Sequence, residues 1–307
     1  MNRWMSHPSS PLTGGHRVEL VHRYATADLV RRWRRRFAIE VGDELAPAHE
    51  ILHWRCLETE LEFFHPLAAA GSSSLYEQLA RFRWYHDPNR WDFGAALPWL
   101  RNAKGLLEVG CGDGAFLDLL GRSFAGTVTG IEFNSVTAKR ARSKGHKVIE
   151  QPVESDAVQA LGPFDAICSF QVLEHIPEPL PFLQALVSQL SPGGTLVLGV
   201  PNAECFIRHW RVNLLDLPPH HMSRWTTRTL AKLGPLLGLE PLEVQTETLS
   251  AGHSVDFIEA QVQRVIPVPL LPRVFGRLAG PILSRMPSLR QEIPGHSLLG
   301  IYRKPSG

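Results

Sequence analysis

From Gly105 onward the chain alternates short apolar runs with amphipathic stretches at a regular pitch. The apolar runs near 105–110, 126–132, 146–150, 164–170 and 194–200 read as strands. Between them, the stretches near 114–123, 135–144, 155–161 and 179–190 space their apolar residues as helices do. Such alternation predicts βαβ units and a parallel sheet. A helix at 226–238 and strands at 240–247 and 295–303 extend it.

Upstream the pattern is less regular. "TADLVRRWRRRFAIE" sets Leu29, Trp33 and Phe37 at helical spacing with arginines on the other faces. That basic run reads as a solvated face first, and as a phosphate or anionic-surface contact second. "ILHWRCLETELEFFHP" predicts a hairpin over 51–66, and "SSSLYEQLARFRWYHD" and "NRWDFGAALPWL" predict two helices. Residues 1–16, polar and rich in Pro, Ser and Gly, read as a disordered tail. The expected division is a tail over 1–16, an appendage of helices and a hairpin over 17–100, and the alternating domain over 101–307.

A late segment breaks the rhythm. Residues 262–293 are apolar and basic and hold five prolines, so no long helix is expected through them. A cover on the substrate cleft is the first reading, with a dimer surface and a membrane-surface patch as the two others.

Composition narrows the class. A hydrophobic fraction of 44% fills a core, and a formal net charge of +2 gives no reason to expect nucleic acid. Cys56, Cys111, Cys168 and Cys205 form no CxxC pair, which argues against a disulfide framework or a zinc site. The start lacks the apolar core of a signal peptide, and no run of about 18 apolar residues occurs. The expectation is a soluble cytoplasmic protein. Nothing in the pattern specifies an oligomeric state.

The chemistry gathers in "LLEVGCGDGAFLDLL". A strand ending at Glu108-Val109, then Gly110-Cys111-Gly112-Asp113-Gly114, then a helix, is the first turn of a nucleotide-binding βαβ. Glu132, about twenty residues on, ends the next strand where a carboxylate can accept bonds from ribose hydroxyls. A dinucleotide would suit the formal match at Gly110, Gly112 and Ala115, but its pyrophosphate would meet the carboxylate of Glu108. S-adenosylmethionine carries a positive sulfonium and a positive amino group, so an acid at the loop favours it.

With these residues the chain resembles the class I S-adenosylmethionine-dependent methyltransferases. "FDAICSFQVLEHIPEP" is similar to that family's fourth strand and its turn, and "LSPGGTLVLGVPN" to its fifth strand. "LPPHHMSRWTTRTLAKL" resembles a segment of ubiquinone-type O-methyltransferases and of sugar methyltransferases. The region around "HWRCLETELEFFHP" is similar to that of bacterial sugar methyltransferases, some of which carry a cysteine-ligated zinc. Here Thr59 stands where the partner of Cys56 would be, so no metal is expected.

The resemblance implies an α/β Rossmann-like sheet of order 3-2-1-4-5-7-6 and methyl transfer from S-adenosylmethionine. Gly110, Gly112 and Gly114 would approach the methionine part, with Glu108 facing its amino group and Cys111 filling space in the loop. Glu132 would take the ribose, with Phe133 and Asn134 along the adenosine and Val153 and Glu154 at the adenine. Phe170 and Gln171 would reach the methionine end or the reacting centre. His221, then His220 and His175, are the candidates for general base. Tyr85 and Trp91 could close over the cleft. The leading acceptor is a hydroxyl of a sugar or polysaccharide precursor. A quinone, lipid or secondary metabolite is the alternative, and a nucleotide-dependent oxidoreductase or a non-catalytic binding module remains open.

Overall fold

Two sheets divide the chain between them. The structure is a computed structural model that describes residues 8–306 apart from 47, 83, 84, 86, 122, 123, 211, 267 and 269. The first part contains β1 (Val18–Ala25), α1 (Thr26–Phe37), α2 (Gly42–Leu45), β2 (Glu50–Cys56), β3 (Glu62–His65), α3 (Ser73–Leu79) and α4 (Trp91–Leu100). Strands and helices then alternate: β4 (Gly105–Val109), α5 (Ala115–Leu120), β5 (Thr127–Ile131), α6 (Ser135–Ser143), β6 (Val148–Ile149), α7 (Asp156–Gln159), β7 (Phe164–Phe170), α8 (Pro179–Ser188) and β8 (Leu190–Pro201). The remainder is β9 (Ser223–Arg224), α9 (Thr227–Leu237), β10 (Glu240–Thr248), α10 (Ser254–Val265), α11 (Leu271–Ser284), α12 (Pro287–Gln291) and β11 (Pro294–Arg303).

The larger sheet runs β10-β11-β8-β7-β4-β5-β6. Counted along the chain, that is the expected order 3-2-1-4-5-7-6. β4 pairs in parallel with both β5 and β7, while β11 lies antiparallel between β8 and β10. The inner strand β7 is apolar almost throughout because helices cover both faces of a parallel sheet. The order reverses between β4 and β7, and the turns after these two strands open the crevice where such sheets bind ligands.

The smaller sheet runs β1-β2-β3-β9. Its last strand comes from the long connection after β8, and Glu62 and Phe63 pair with Arg224 and Ser223. That pairing straps the connection onto the N-terminal hairpin. The core beneath it joins Leu29, Trp33, Phe64 and Leu75 of the N-terminal part to Leu214, Leu217 and Met222 of the connection.

Four local expectations change. β1 was not legible, because it is an exposed edge strand held by backbone pairing to β2 and shows no apolar alternation. The helix expected over 72–87 ends at Leu79. Of the tail, residues 1–7 lie outside the described residues, whereas Leu12 is buried against a core that includes Trp54 and Cys56. The proline-rich segment carries helices after all. Pro272 sits in the first turn of α11, where no backbone donor is needed, and Pro281 is accommodated within it.

Candidate active site

The turn after β4 takes left-handed backbone at Gly110, Gly112 and Gly114, with φ of 81°, 54° and 84°. Their surroundings differ. A Cβ on Gly110 would lie 2.2 Å from Cγ2 of Val172, and one on Gly114 would lie 2.7 Å from His146. At Gly112 a Cβ would meet no atom within 4 Å, so this part of the loop backbone faces open space. Cys111 is buried, its sulfur packed against Gly130.

Two acids frame the loop. Glu108 is buried, its Oε2 has no hydrogen-bond partner among the described residues, and burial raises its pKa to about 8. An orphaned carboxylate oxygen at a strand end suits a cationic ligand group. Glu132 is committed differently. Its Oε2 accepts from the Gly112 amide at 2.9 Å and its Oε1 from the Asn134 amide at 2.7 Å. It therefore pins the glycine loop to the end of β5, and only its remaining lone pairs are open to a ribose.

The turn after β7 connects this loop to a second cluster. Gln171 adopts φ of 55°, a left-handed conformation uncommon outside glycine, and its side chain reaches towards Asp92 at 3.5 Å. Next, Val172 covers Gly110, and Glu174 and His175 turn towards the connection after β8. There the His220 and His221 rings stack with centroids 4.4 Å apart, and the His175 ring stands 4.7 and 4.9 Å from them. Backbone bonds hold the assembly, with Met222 N–H donating to the Glu174 carbonyl at 2.7 Å and Phe64 N–H to the Met222 carbonyl at 3.0 Å.

The three imidazoles are not equivalent. His220 places Nδ1 on the Leu215 carbonyl at 2.8 Å and Nε2 on the Tyr85 hydroxyl at 3.1 Å, so both ring nitrogens are taken. His175 places Nδ1 on the His220 carbonyl at 2.7 Å. Burial depresses the pKa of both, to about 3 for His175 and well below the usual value for His220. His221 faces Asp216 at 3.5 Å from Nδ1, and its Nε2 stands 4.0 Å from Glu174 Oε1. Glu174 is itself buried, with Oε2 unpartnered among the described residues and its pKa raised by burial to about 7.

Ring nitrogens of all three histidines lie within 4.8 Å of one another, a donor set that could hold a metal ion. Engaging His220 would require it to give up Tyr85 or Leu215. His221 also borders a pocket of about 10 Å³ with Asn202, Asp216, Trp225 and His296, room for a single water.

Several candidates are packed in the core, bonded locally or exposed. Phe170 is core, its ring 5.2 Å from Phe93 and 4.8 Å from Phe116. Val153 is also core. Asn134 spends its side-chain oxygen capping α6, accepting from Val136 and Thr137. Phe133 and Glu154 are exposed. Three groups escaped the sequence reading: Asp92, buried and ion-paired with Arg90; Glu174, taken only as a neighbour of His175; and Asp216. Only the acid in the first turn of α4, "NRWDFG", left a local signal.

Residues 85–244 match the family described as "Methyltransferase domain". A "Ubiquinone biosynthesis O-methyltransferase" of Xanthomonas campestris pv. campestris is 37% identical over 124 residues, covering 38% of this chain and 50% of that protein. The protein of the same name from Escherichia coli O6:H1 is 27% identical over 175 residues, covering 50% of this chain and 72% of that one. The chain thus spans about half the length of the first of these relatives. Among solved structures, a "SAM-dependent methyltransferase, possible histamine N-methyltransferase" from Thermotoga maritima is similar with TM-score 0.49 and 19% identity, over 76% of this chain and 97% of that one. The family match begins at Tyr85 and ends at Val244, and so takes in the glycine loop, both framing acids and all three histidines. The chain belongs to the methyltransferase domain family.

Proposed function

We propose that the protein transfers the methyl group of S-adenosylmethionine to a hydroxyl of a small-molecule acceptor. The carrying observation is the turn 171–175, which touches the glycine loop through Val172 and the histidines through Glu174 and His175. One short segment thereby bridges the donor loop and the candidate base. The buried, unpartnered oxygen of Glu108 fits the amino group of the donor, and the open space at Gly112 lets backbone approach it.

S-adenosylmethionine, when bound, would supply a methyl carbon activated by its sulfonium, from which the acceptor oxygen would displace S-adenosylhomocysteine in line. The chain's contribution is alignment and proton removal. Glu108 holds the ammonium group, and Glu132 keeps the glycine loop in place. His221 takes the acceptor's hydroxyl proton at Nε2 while Asp216 favours the tautomer with the proton on Nδ1. His220 and His175, bonded to backbone carbonyls, position the loop.

The Xanthomonas and Escherichia relatives named above are both called ubiquinone biosynthesis O-methyltransferases, and neither is a sugar methyltransferase. A phenolic hydroxyl of a quinone precursor therefore replaces the sugar hydroxyl as the first acceptor to test. Calorimetry should detect binding of S-adenosylmethionine and S-adenosylhomocysteine but not of NAD. With labelled donor, phenolic quinone precursors should be methylated ahead of nucleotide sugars. Tight NAD binding with no response to S-adenosylhomocysteine would sink the reading.

A further inference from the structure

The helices inserted between β10 and β11 present an apolar face that is exposed among the described residues. Gly276 and Gly280 of α11 lie against α10, where a Cβ would come 2.5 Å from Glu259 and 2.6 Å from Val255. With the helix fixed by these contacts and by buried Leu283, positions two residues from each glycine point the opposite way. Those positions are Val274, Leu278 and Ile282, with Phe275 beside them. Leu278 is 66% exposed and Ile282 61%. Leu270 before the helix is 69% exposed, and Met286 and Leu289 beyond it are also exposed. Surface apolar residues are ordinary when scattered, but not as a continuous stripe.

α11 carries two arginines and no acid, while the acids of α10, Asp256 and Glu259, belong to the helix packed behind it, Glu259 lying against Gly276 on the side away from the stripe. From Ala260 to Gln291 the chain has five arginines, at 264, 273, 277, 285 and 290, and no acid. Arg273 and Arg277 follow one flank of the stripe and make no ion pair among the described residues. The overall charge of +2 shows that this excess is local rather than general. A second copy of the chain would bring the same arginines face to face, which is repulsive. An apolar stripe flanked by arginine is what a helix lying in an anionic lipid interface requires.

We infer that the α10–α11 hairpin docks the protein on an anionic lipid surface, Val274, Leu278 and Ile282 entering the apolar boundary while Arg273 and Arg277 meet phosphate. The hairpin also packs on the segment that continues to the histidines. The Phe257 ring of α10 lies 5.8 Å from Phe206, and the same connection carries Asp216, His220 and His221. Docking would thus set the acceptor side of the proposed active site near the membrane, which suits an acceptor dissolved in lipid. This last consequence rests on the proposed function. The docking itself does not.

The test uses the full chain and flotation with vesicles. At low ionic strength the protein should float with phosphatidylcholine–phosphatidylglycerol vesicles and only weakly with phosphatidylcholine alone. The L278D/I282D variant should partition at least about tenfold less, because two large apolar side chains no longer leave water. R273Q/R277Q should lose the preference for phosphatidylglycerol. Both variants should keep the wild-type melting temperature and S-adenosylmethionine affinity, which separates lipid docking from donor binding. No flotation with either vesicle, or equal flotation of L278D/I282D, would overturn the inference. So would a wild-type dimer in light scattering that L278D/I282D converts to monomer, since the stripe would then be a subunit interface.

Discussion

Asp216 Oδ1 stands 3.5 Å from Nδ1 of His221, on the ring edge away from Glu174. A carboxylate there favours the tautomer with Nδ1 protonated, leaving the Nε2 lone pair for a substrate proton. His221→Ala should lower turnover by about 10²–10⁴ and leave donor affinity nearly unchanged. Asp216→Asn should act in the same direction with smaller effect. A near-wild-type rate in His221→Ala would mean that alignment alone drives the transfer.

Burial places Glu108 at about 8 and Glu174 at about 7, both above the usual carboxylate range. The folded chain then holds protons that the unfolded chain releases above about pH 4.3. Their contribution to stability is fully present below that pH and is lost as pH rises through about 7 to 8. His175 and His220, kept neutral by burial, contribute in the opposite sense up to about pH 6.5, so thermal melts of the ligand-free protein should show the fall in melting temperature between about pH 6.5 and 8. Glu108→Gln should flatten the fall, and an unchanged slope would show that Glu108 is ionised in the fold.

Donor binding should respond in the opposite sense. An ammonium group beside Glu108 favours the carboxylate, so binding releases a proton below about pH 8. Donor affinity should therefore rise with pH by up to about tenfold per unit from pH 6. Glu108→Gln should lose this dependence and bind donor more weakly by about 1.5–3 kcal/mol. Calorimetry in two buffers of different ionisation enthalpy reads the released proton directly.

Glu132 carries two backbone bonds from the loop and the start of α6. Glu132→Ala should weaken the donor by about 1.5–3 kcal/mol and also destabilise the fold by about 1–3 kcal/mol, since two amides lose their acceptor. A variant with wild-type stability and reduced affinity would show that water replaces the carboxylate at no cost.

Gly110 combines positive φ with the close approach of Val172. Gly110→Ala should cost more than about 1 kcal/mol of stability and abolish measurable donor binding. Adding Val172→Ala should recover the steric part of the stability loss but not the backbone part. Full recovery in the double variant would mean that φ at this position carries no strain.

The larger sheet was legible because its information is local and repeated. Apolar runs such as "FDAICSF" report burial on both faces, and "EVGCGDG" reports a tight turn that only glycines can make. The order 3-2-1-4-5-7-6 came with the resemblance those motifs carry. Edge and insertion elements were less legible: β1 pairs through its backbone and needs no pattern, and α11 starts with Pro272 in its tolerant first turn but runs on through Pro281, which local propensity reads as a break. The same limit applied at the site. Spacing could place Glu108, Glu132 and the glycines around one turn, but could not tell that Glu132, expected at the ribose, already accepts from the loop backbone. Phe170 and Gln171 are neighbours in sequence, yet one turns into the core and the other to the cleft, because strand side chains alternate and the positive φ comes at the second. His175 lies 45 residues from His220. The distance between them depends on β9 pairing with β3, a contact between Phe63 and Ser223 that no local pattern encodes. Local propensity determined the strands and the glycine turn. Which histidine keeps a free nitrogen, and which acid faces it, was decided by packing between segments far apart in the chain.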